Sequence, residues 1–294
     1  MKKVSNARIM LIVSMTVFGT IGLFVRNIPL PSGEIALYRA VLAALLIGAF
    51  LLVTKQKIEI SRIKKELPIL ILSGVAMGFN WILLFEAYKY TTVSVATLSY
   101  YFAPVIVTLL CPILFKEKIG VKQWVCFVMS TLGIVMITGI GDFGQGGSHI
   151  KGILFGLGAA SLYATVILLN KFIKNVDGIH RTFLQFLSAI VVLVPYVLVT
   201  DGVNLGKLDL KSLLFLLVIG IVHTGITYCL YFSSLKELPG QKAAILSYID
   251  PLVAVIVSVV VLKEPITPLQ IIGGVMILGF TLWNEITPKK SKQN

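Results

Sequence analysis

The sequence predicts an all-α integral membrane protein, ten transmembrane helices arranged as two inverted five-helix repeats. Three observations predict this. Apolar residues form long unbroken runs, a 46-residue stretch recurs half a chain later, and basic residues crowd alternate linkers.

Hydrophobic residues make up 57% of the 294, charged residues 13%, and mean hydropathy is +0.93. A soluble domain usually carries about a quarter charged residues. Apolar runs fall at about 9–26, 34–53, 67–88, 93–115, 122–140, 152–170, 181–200, 212–232, 243–262 and 268–286. Most run to roughly 18–23 residues, enough for a helix to cross about 30 Å of hydrocarbon. Their residues are apolar consecutively, without the period-two alternation of a barrel strand, so the spans are helical. Linkers are short and none offers a soluble domain.

The stretch Gly78–Gln123 returns 147 residues later as Gly225–Gln270. Eleven of its 46 positions are identical, among them Gly78/Gly225, Tyr101/Tyr248, Pro104/Pro251, Glu117/Glu264 and Gln123/Gln270. Residues 1–147 and 148–294 are therefore expected to be two copies of one unit within a single membrane domain. Their join lies near the glycine-rich stretch Asp142–His149. Five is odd, so the copies insert in opposite senses. This is the plan of a secondary transporter, with its site near the midplane where the halves meet.

A net charge of +13 would point to nucleic acid in a soluble protein. Here it follows the linkers. With the N-terminus inside, 19 Lys and Arg face the cytoplasm, six face outward, and Arg39 lies within a span. That is the positive-inside bias, and it puts both termini in the cytoplasm of a multi-pass cell-membrane protein. Lys2 and Lys3 before an apolar run resemble a signal peptide. The run is long and leads to Arg26 without a small-residue cleavage site, so it reads as a retained first span. Cys111, Cys126 and Cys229 fall in different spans without metal-ligand spacing and read as small buried residues. No metal, cofactor or catalytic set is expected, and no nucleic acid. The expected partners are a small-molecule substrate and the lipid bilayer, with a homodimer left open.

Gly74/Gly78 and Gly152/Gly156 are small-xxx-small pairs that let helices approach closely. Pro104 and Pro251 occupy matching places in spans four and nine, where each removes a backbone hydrogen bond. They read either as packed kinks or as hinges lining a cavity, since freed carbonyls are tolerated only against protein or water.

The run Phe85-Glu86-Ala87-Tyr88-Lys89-Tyr90-Thr91-Thr92, then Ala96, Pro104 and Leu114-Phe115-Lys116-Glu117, resembles the first repeat of an EamA-type member of the drug/metabolite transporter superfamily. The run Ala243–Pro251, then Leu262-Lys263-Glu264-Pro265 and Gly273-Gly274, resembles the second. The resemblance covers nearly the whole chain. One departure is Asp250, where the family more often has Glu. The resemblance implies a ten-helix carrier with a central cavity, moving amino acids, metabolites or drug-like compounds, often outward.

Polar side chains within the hydrocarbon mark candidate site residues, because a charge at mid-membrane costs about 2.5–3.5 kcal/mol on insertion scales. Asp250 leads, as a cation-recognising or proton-coupling carboxylate preceding Pro251; an ion pair or hydrogen-bonded role is its structural alternative. His223, Thr227 and Tyr231 form an i, i+4, i+8 stripe with Tyr228 beside it. The repeat sets Asn80 opposite Thr227 and Trp81 opposite Tyr228. Tyr100, Tyr101, Tyr163 and Tyr248 add hydroxyl-bearing aromatics. Arg39 and Glu86 have overlapping depths, so they read as an ion pair, shared with Glu34, or as an outer gate. Glu117 and Glu264 read as helix caps.

The expected function is alternating-access transport of a small metabolite, an amino acid or amine-like solute, with export favoured. Coupling stays open between proton antiport and facilitated diffusion. A channel lacks a polar or glycine-rich filter. A receptor or scaffold is a further alternative. A membrane enzyme would need a nucleophile and base or a ligand cluster, which three scattered histidines do not provide. No phosphate-binding loop for primary active transport occurs.

Overall fold

A computed structural model describes residues 2–56, 63–115, 120–138, 146–176, 178–200, 202–238, 243 and 246–286. Of the expected join near Asp142–His149, residues 142–145 lie outside these residues, as does the pair Lys116-Glu117. The described chain is predominantly helical and contains no strand.

In order it forms α1 (Lys2–Gly19), α2 (Ile21–Arg26), α3 (Ser32–Val53), α4 (Leu67–Tyr90), α5 (Val93–Tyr100), α6 (Ala103–Phe115) and α7 (Val121–Thr138). There follow α8 (Gly146–Asn170), α9 (Gly178–Thr200), α10 (Leu210–Leu217), α11 (Thr227–Glu237), α12 (Ile249–Ile256) and α13 (Pro268–Ile286). A π-helical stretch, Val218–Ile226, joins α10 to α11, and a second, Val257–Val261, ends α12. Among the described residues seven helical segments are long and apolar enough to cross a membrane, and three shorter apolar ones accompany them. Leu45, Leu52, Ile113, Leu154, Val191 and Leu198 are exposed on the outside of the bundle, an apolar surface fitted to lipid.

Helix termini explain some of the repeated residues. Gln123 Oε1 accepts from the Gly120 N–H at 2.7 Å, and Gln270 Oε1 from the Thr267 N–H at 2.9 Å. In each case the side chain reaches back three residues to the start of its helix. Thr267 returns the bond by accepting from the Gln270 N–H at 3.2 Å, completing a capping box. Thr92 caps α5 and Asp209 caps α10. The Ser212 hydroxyl and N–H hold the Asp209 carboxyl below its ordinary range.

Helix contacts run in pairs. Helix α4 lies along α8, and α11 along α1. Helix α4 also meets α9, while α3 meets Val218–Ile226. Helices α5 and α6 pack on α8, and α12 packs on α1. Contacts of α3 with α9, α5 with α12, and α7 with α13 close the bundle.

The expected glycine pairs make close approaches. A Cβ on Gly74 would lie 2.5 Å from Gln185 O, and one on Gly156 2.8 Å from Ser99 Cβ. A Cβ on Gly78 would stand 3.3 Å from Leu193, and one on Gly225 3.1 Å from Leu46. Positions 46 and 193 are also 147 residues apart. The backbone breaks at matching points before Pro104 and Pro251. Tyr101 (φ −69°, ψ 4°) ends α5 and Tyr248 (φ −72°, ψ −6°) precedes α12, each three residues before its proline.

Candidate functional site

Arg39, Trp81, Phe186 and Tyr228 meet where α3, α4, α9 and α11 cross. The Arg39 guanidinium carbon stands 4.5 Å from the Trp81 ring centroid and 5.7 Å from that of Phe85. Phe186 lies 5.3 Å from Trp81 and 5.5 Å from Tyr228, edge to face in both cases. Arg39 and Phe186 are separated by 147 positions, as are Trp81 and Tyr228. The cluster thus comprises two pairs of repeat-related residues.

Arg39 is buried, and its Nε donates to Thr224 Oγ1 at 2.7 Å. Thr224 sits in the π-helical stretch and donates in turn to Ile219 O at 2.8 Å. His223 Nδ1 contacts Val218 O at 3.3 Å, and Thr227 Oγ1 donates to Val222 O at 2.7 Å. All three side chains reach the carbonyl five residues back, the group that a π-turn places beneath them. Hydroxyls competing for backbone carbonyls favour such local distortion.

Asp250 lies in the first turn of α12, where a helix N-terminus favours a carboxylate. Tyr101 OH donates to Asp250 Oδ2 at 2.6 Å. Tyr101 also lies 6.4 Å from Tyr248 and 6.1 Å from Tyr100, and Tyr100 lies 5.2 Å from Tyr163. Tyr88, Tyr100 and Tyr228 are within electrostatic range of both Arg39 and Asp250. A base from one half and an acid from the other therefore share a set of tyrosines.

Hydrogen-bonding capacity in this region is incompletely used. Among the described residues, the hydroxyls of Tyr100, Tyr163 and Tyr228, Trp81 Nε1 and the two Arg39 Nη atoms carry no hydrogen bond. Arg39 and Trp81 are buried, whereas Tyr163 is exposed. Donors held unpaired at membrane depth need water or a solute.

Other candidates are tied into helix contacts. Asn80 Nδ2 donates to Ala159 O at 2.6 Å, locking α4 to α8. His223 Nε2 meets Thr20 Oγ1 at 2.9 Å, with the Phe24 ring 4.8 Å away. Thr227 is buried with its hydroxyl committed to Val222 O.

The expected ion pair of Arg39 with Glu86 and Glu34 does not form. Glu86 pairs with Lys89 at 2.9 Å, and Glu34 accepts from Asn204 N and Nδ2 at 2.8 and 2.6 Å. Trp81 fixes the face of α4 that meets Arg39. Five residues of α-helix carry Glu86 about 140° around from it. The two residues share a depth but not a direction.

An ion pair between the two halves of the chain instead joins Arg26 and Glu264. Arg26 Nε donates to Tyr88 O at 2.8 Å and Nη2 to Thr91 O at 2.6 Å. Glu264 Oε2 accepts from the Val93 N–H at 2.8 Å and from the Ser258 hydroxyl. Ser258 also lies 3.1 Å from Ser94, Oγ to Oγ. Glu264 does cap a helix, but the helix is α5, in the other half of the chain. Lys263, at φ 54°, turns the chain to bring it there.

Sequence reasoning missed Arg26, Thr224, Phe186, Ser94 and Ser258. The repeat offset carried one usable signal, since it pairs Arg39 with Phe186. Nothing marked Arg26 apart from other cations near span ends.

A model of the EamA-like transporter family matches residues 6–139 and again 150–284. The chain is 32% identical to the uncharacterized transporter YxxF of Bacillus subtilis, over 95% of this chain and 89% of that one. It is 29% identical to an uncharacterized transporter of Archaeoglobus fulgidus, over 94% and 95% of the two chains. One solved protein structure, 17% identical, superposes with a TM-score of 0.61 over 94% of this chain and 95% of its own, a shared fold.

Proposed function

The chain belongs to the EamA-like transporter family, and from that membership we propose a secondary carrier working by alternating access in the cytoplasmic membrane. Its cargo is a small metabolite, an amino acid or amine-like solute, moved outward from the cell. Ten crossing helices form two inverted five-helix halves, residues 1–147 and 148–294, with both termini in the cytoplasm. The paired helix contacts support this arrangement, because α4 on α8, α4 on α9 and α5 on α8 have counterparts under exchange of the halves. So do Gly78 against Leu193 and Gly225 against Leu46.

One observation carries the reading. Arg39, Trp81, Tyr100, Tyr163 and Tyr228, contributed by both halves, keep unused hydrogen-bonding groups, and Tyr100 and Tyr228 lie in electrostatic range of both Arg39 and Asp250. These residues, with Tyr101 and Tyr248, form the walls that meet the solute. Asn80, His223 and Thr227 hold those walls in position. The breaks before Pro104 and Pro251 act as hinges, and Asp250 carries the proton if transport is coupled.

The test is counterflow in liposomes. Vesicles holding the carrier and preloaded with an unlabelled transported solute are expected to accumulate the labelled solute transiently. A panel of amino acids, amines and nucleosides that yields no counterflow would remove the carrier reading.

The Arg26–Glu264 pair serves as the outer gate, in place of Arg39 and Glu86. It ties α2 and the α4–α5 turn to the segment before α13, and alternating access must separate them. Hydrogen bonds to charged groups contribute about 1.5–3 kcal/mol. Glu264→Gln is therefore expected to raise the external labelling rate of a cysteine at Ser94, close to the pair, about tenfold. The comparison uses a background free of Cys111, Cys126 and Cys229 and an impermeant maleimide. Equal rates before and after the Glu264→Gln substitution would mean that the pair is no gate.

A further inference from the structure

We infer that Arg39 is an anion-binding subsite, so that the cargo carries a carboxylate as well as the amine that Asp250 accommodates. The inference rests on the carrier reading and narrows its substrate class.

A buried arginine in a membrane protein is expected to have a carboxylate partner, because an uncompensated charge there is costly. Among the described residues Arg39 has none. Glu34 and Glu86, the acids nearest to it in depth, are engaged by Asn204 and Lys89. Arg39 is only 4% exposed, and its one hydrogen bond among the described residues runs from Nε to Thr224. That bond, with the Trp81 ring centroid 4.5 Å from the guanidinium carbon, holds the group in place. The two Nη atoms are left without a hydrogen bond among the described residues. Two parallel N–H donors on a planar fork match the two oxygens of a carboxylate.

The surroundings support a ligand rather than a packing role. A guanidinium needed only for packing has no reason to keep its strongest donor pair unpaired. Here Tyr100 and Tyr228, in electrostatic range of Arg39, also keep hydroxyls without a hydrogen bond among the described residues. Arg39 and Asp250 come from different halves with tyrosines in range of both, so a solute bearing both charges would bridge the halves. A bound zwitterion would also neutralise both groups together, leaving no net charge to carry across. An amine would leave Arg39 uncompensated.

The test measures counterflow and ligand-induced thermal stabilisation with the purified full chain. The probes are the common amino acids, γ-aminobutyrate and 5-aminovalerate, whose charges lie further apart, and the amines and carboxylic acids matching each. Expected is at least one zwitterion that binds about 10- to 100-fold more tightly than its matching amine, the contribution of hydrogen bonds to a charged group. Arg39→Gln is expected to erase that ratio by weakening zwitterion binding more than amine binding. Arg39→Lys, which keeps charge but loses the fork, is expected to keep part of the ratio and guards against a variant that fails to fold. Amines binding as tightly as zwitterions, or both losing equally in Arg39→Gln and Arg39→Lys, would overturn the subsite while leaving the carrier. A panel in which nothing binds or moves overturns both.

Discussion

Replacing Asp250 with asparagine is expected to lower transport at least about 100-fold and to abolish substrate-driven proton movement, with the protein still folded. The substitution keeps size and shape, and Tyr101 OH can still donate to the amide oxygen that replaces Oδ2, 2.6 Å away. What disappears is the negative charge. An ammonium bound there loses a charge-assisted bond, and that scale of loss, about 2.7 kcal/mol, corresponds to two powers of ten. Asparagine also cannot take up or release a proton, so coupling through this position ends even if some substrate leaks across. Asp250→Glu is expected to retain partial activity, since the resemblance places Glu at this position in related chains. Liposomes carrying an internal pH dye read the proton movement, and labelled solute reads transport. Unchanged proton flux in the Asp250→Asn variant would remove Asp250 from coupling, and unchanged substrate flux would remove it from the site.

Replacing Gly74 with leucine is expected to eliminate most correctly folded protein. A Cβ at this position would lie 2.5 Å from Gln185 O, 2.6 Å from Ser188 Cβ and 3.0 Å from Gln185 Cα. Two of these neighbours are backbone, so relief requires α4 and α9 to separate. Separation would also break the buried polar group in which Gln185 Nε2 donates to Ser73 Oγ at 2.5 Å and Asn170 Oδ1 at 2.8 Å. Overpacking costs about 1–3 kcal/mol, and unsatisfied buried polar groups add about as much again. Together these approach the whole stability of a marginal fold. Gly279 is the control, because a Cβ there meets nothing within 4 Å, and Gly279→Ala is expected to be neutral. Size-exclusion profiles after graded heating separate the outcomes. A monodisperse Gly74→Leu protein with unaltered melting would contradict the packing described.

The helices and their close contacts were legible because they follow from composition and spacing. Apolar runs of membrane length, the Gly74/Gly78 and Gly152/Gly156 pairs and the repeated glutamines are local patterns with local causes. Repeat arithmetic reached further, setting Trp81 opposite Tyr228 from sequence alone. The same offset pairs Arg39 with Phe186, but an arginine and a phenylalanine share no chemistry that would mark them as partners in one cluster.

What escaped was direction around a helix. Residue counting gives depth, and depth alone paired Arg39 with Glu86. The π-helical stretch raised a second obstacle, because extra residues per turn upset an i, i+4 stripe. It brings Thr224 to Arg39 while Thr227 turns back on its own helix. The Arg26–Glu264 pair was hidden for a third reason. Its residues are 238 apart, and neither sits deep enough to stand out as a costly charge.

The proposed mechanism requires one site that opens to each side in turn. A single cysteine in place of Tyr228, in the background without Cys111, Cys126 and Cys229, tests this when labelled with an impermeant reagent from either face of sealed vesicles. The predicted result is labelling from both faces and protection by a transported solute. With Glu264→Gln, external labelling should rise as internal labelling falls. Labelling from both faces that ignores the gate variant, or from neither, would contradict alternating access at this site.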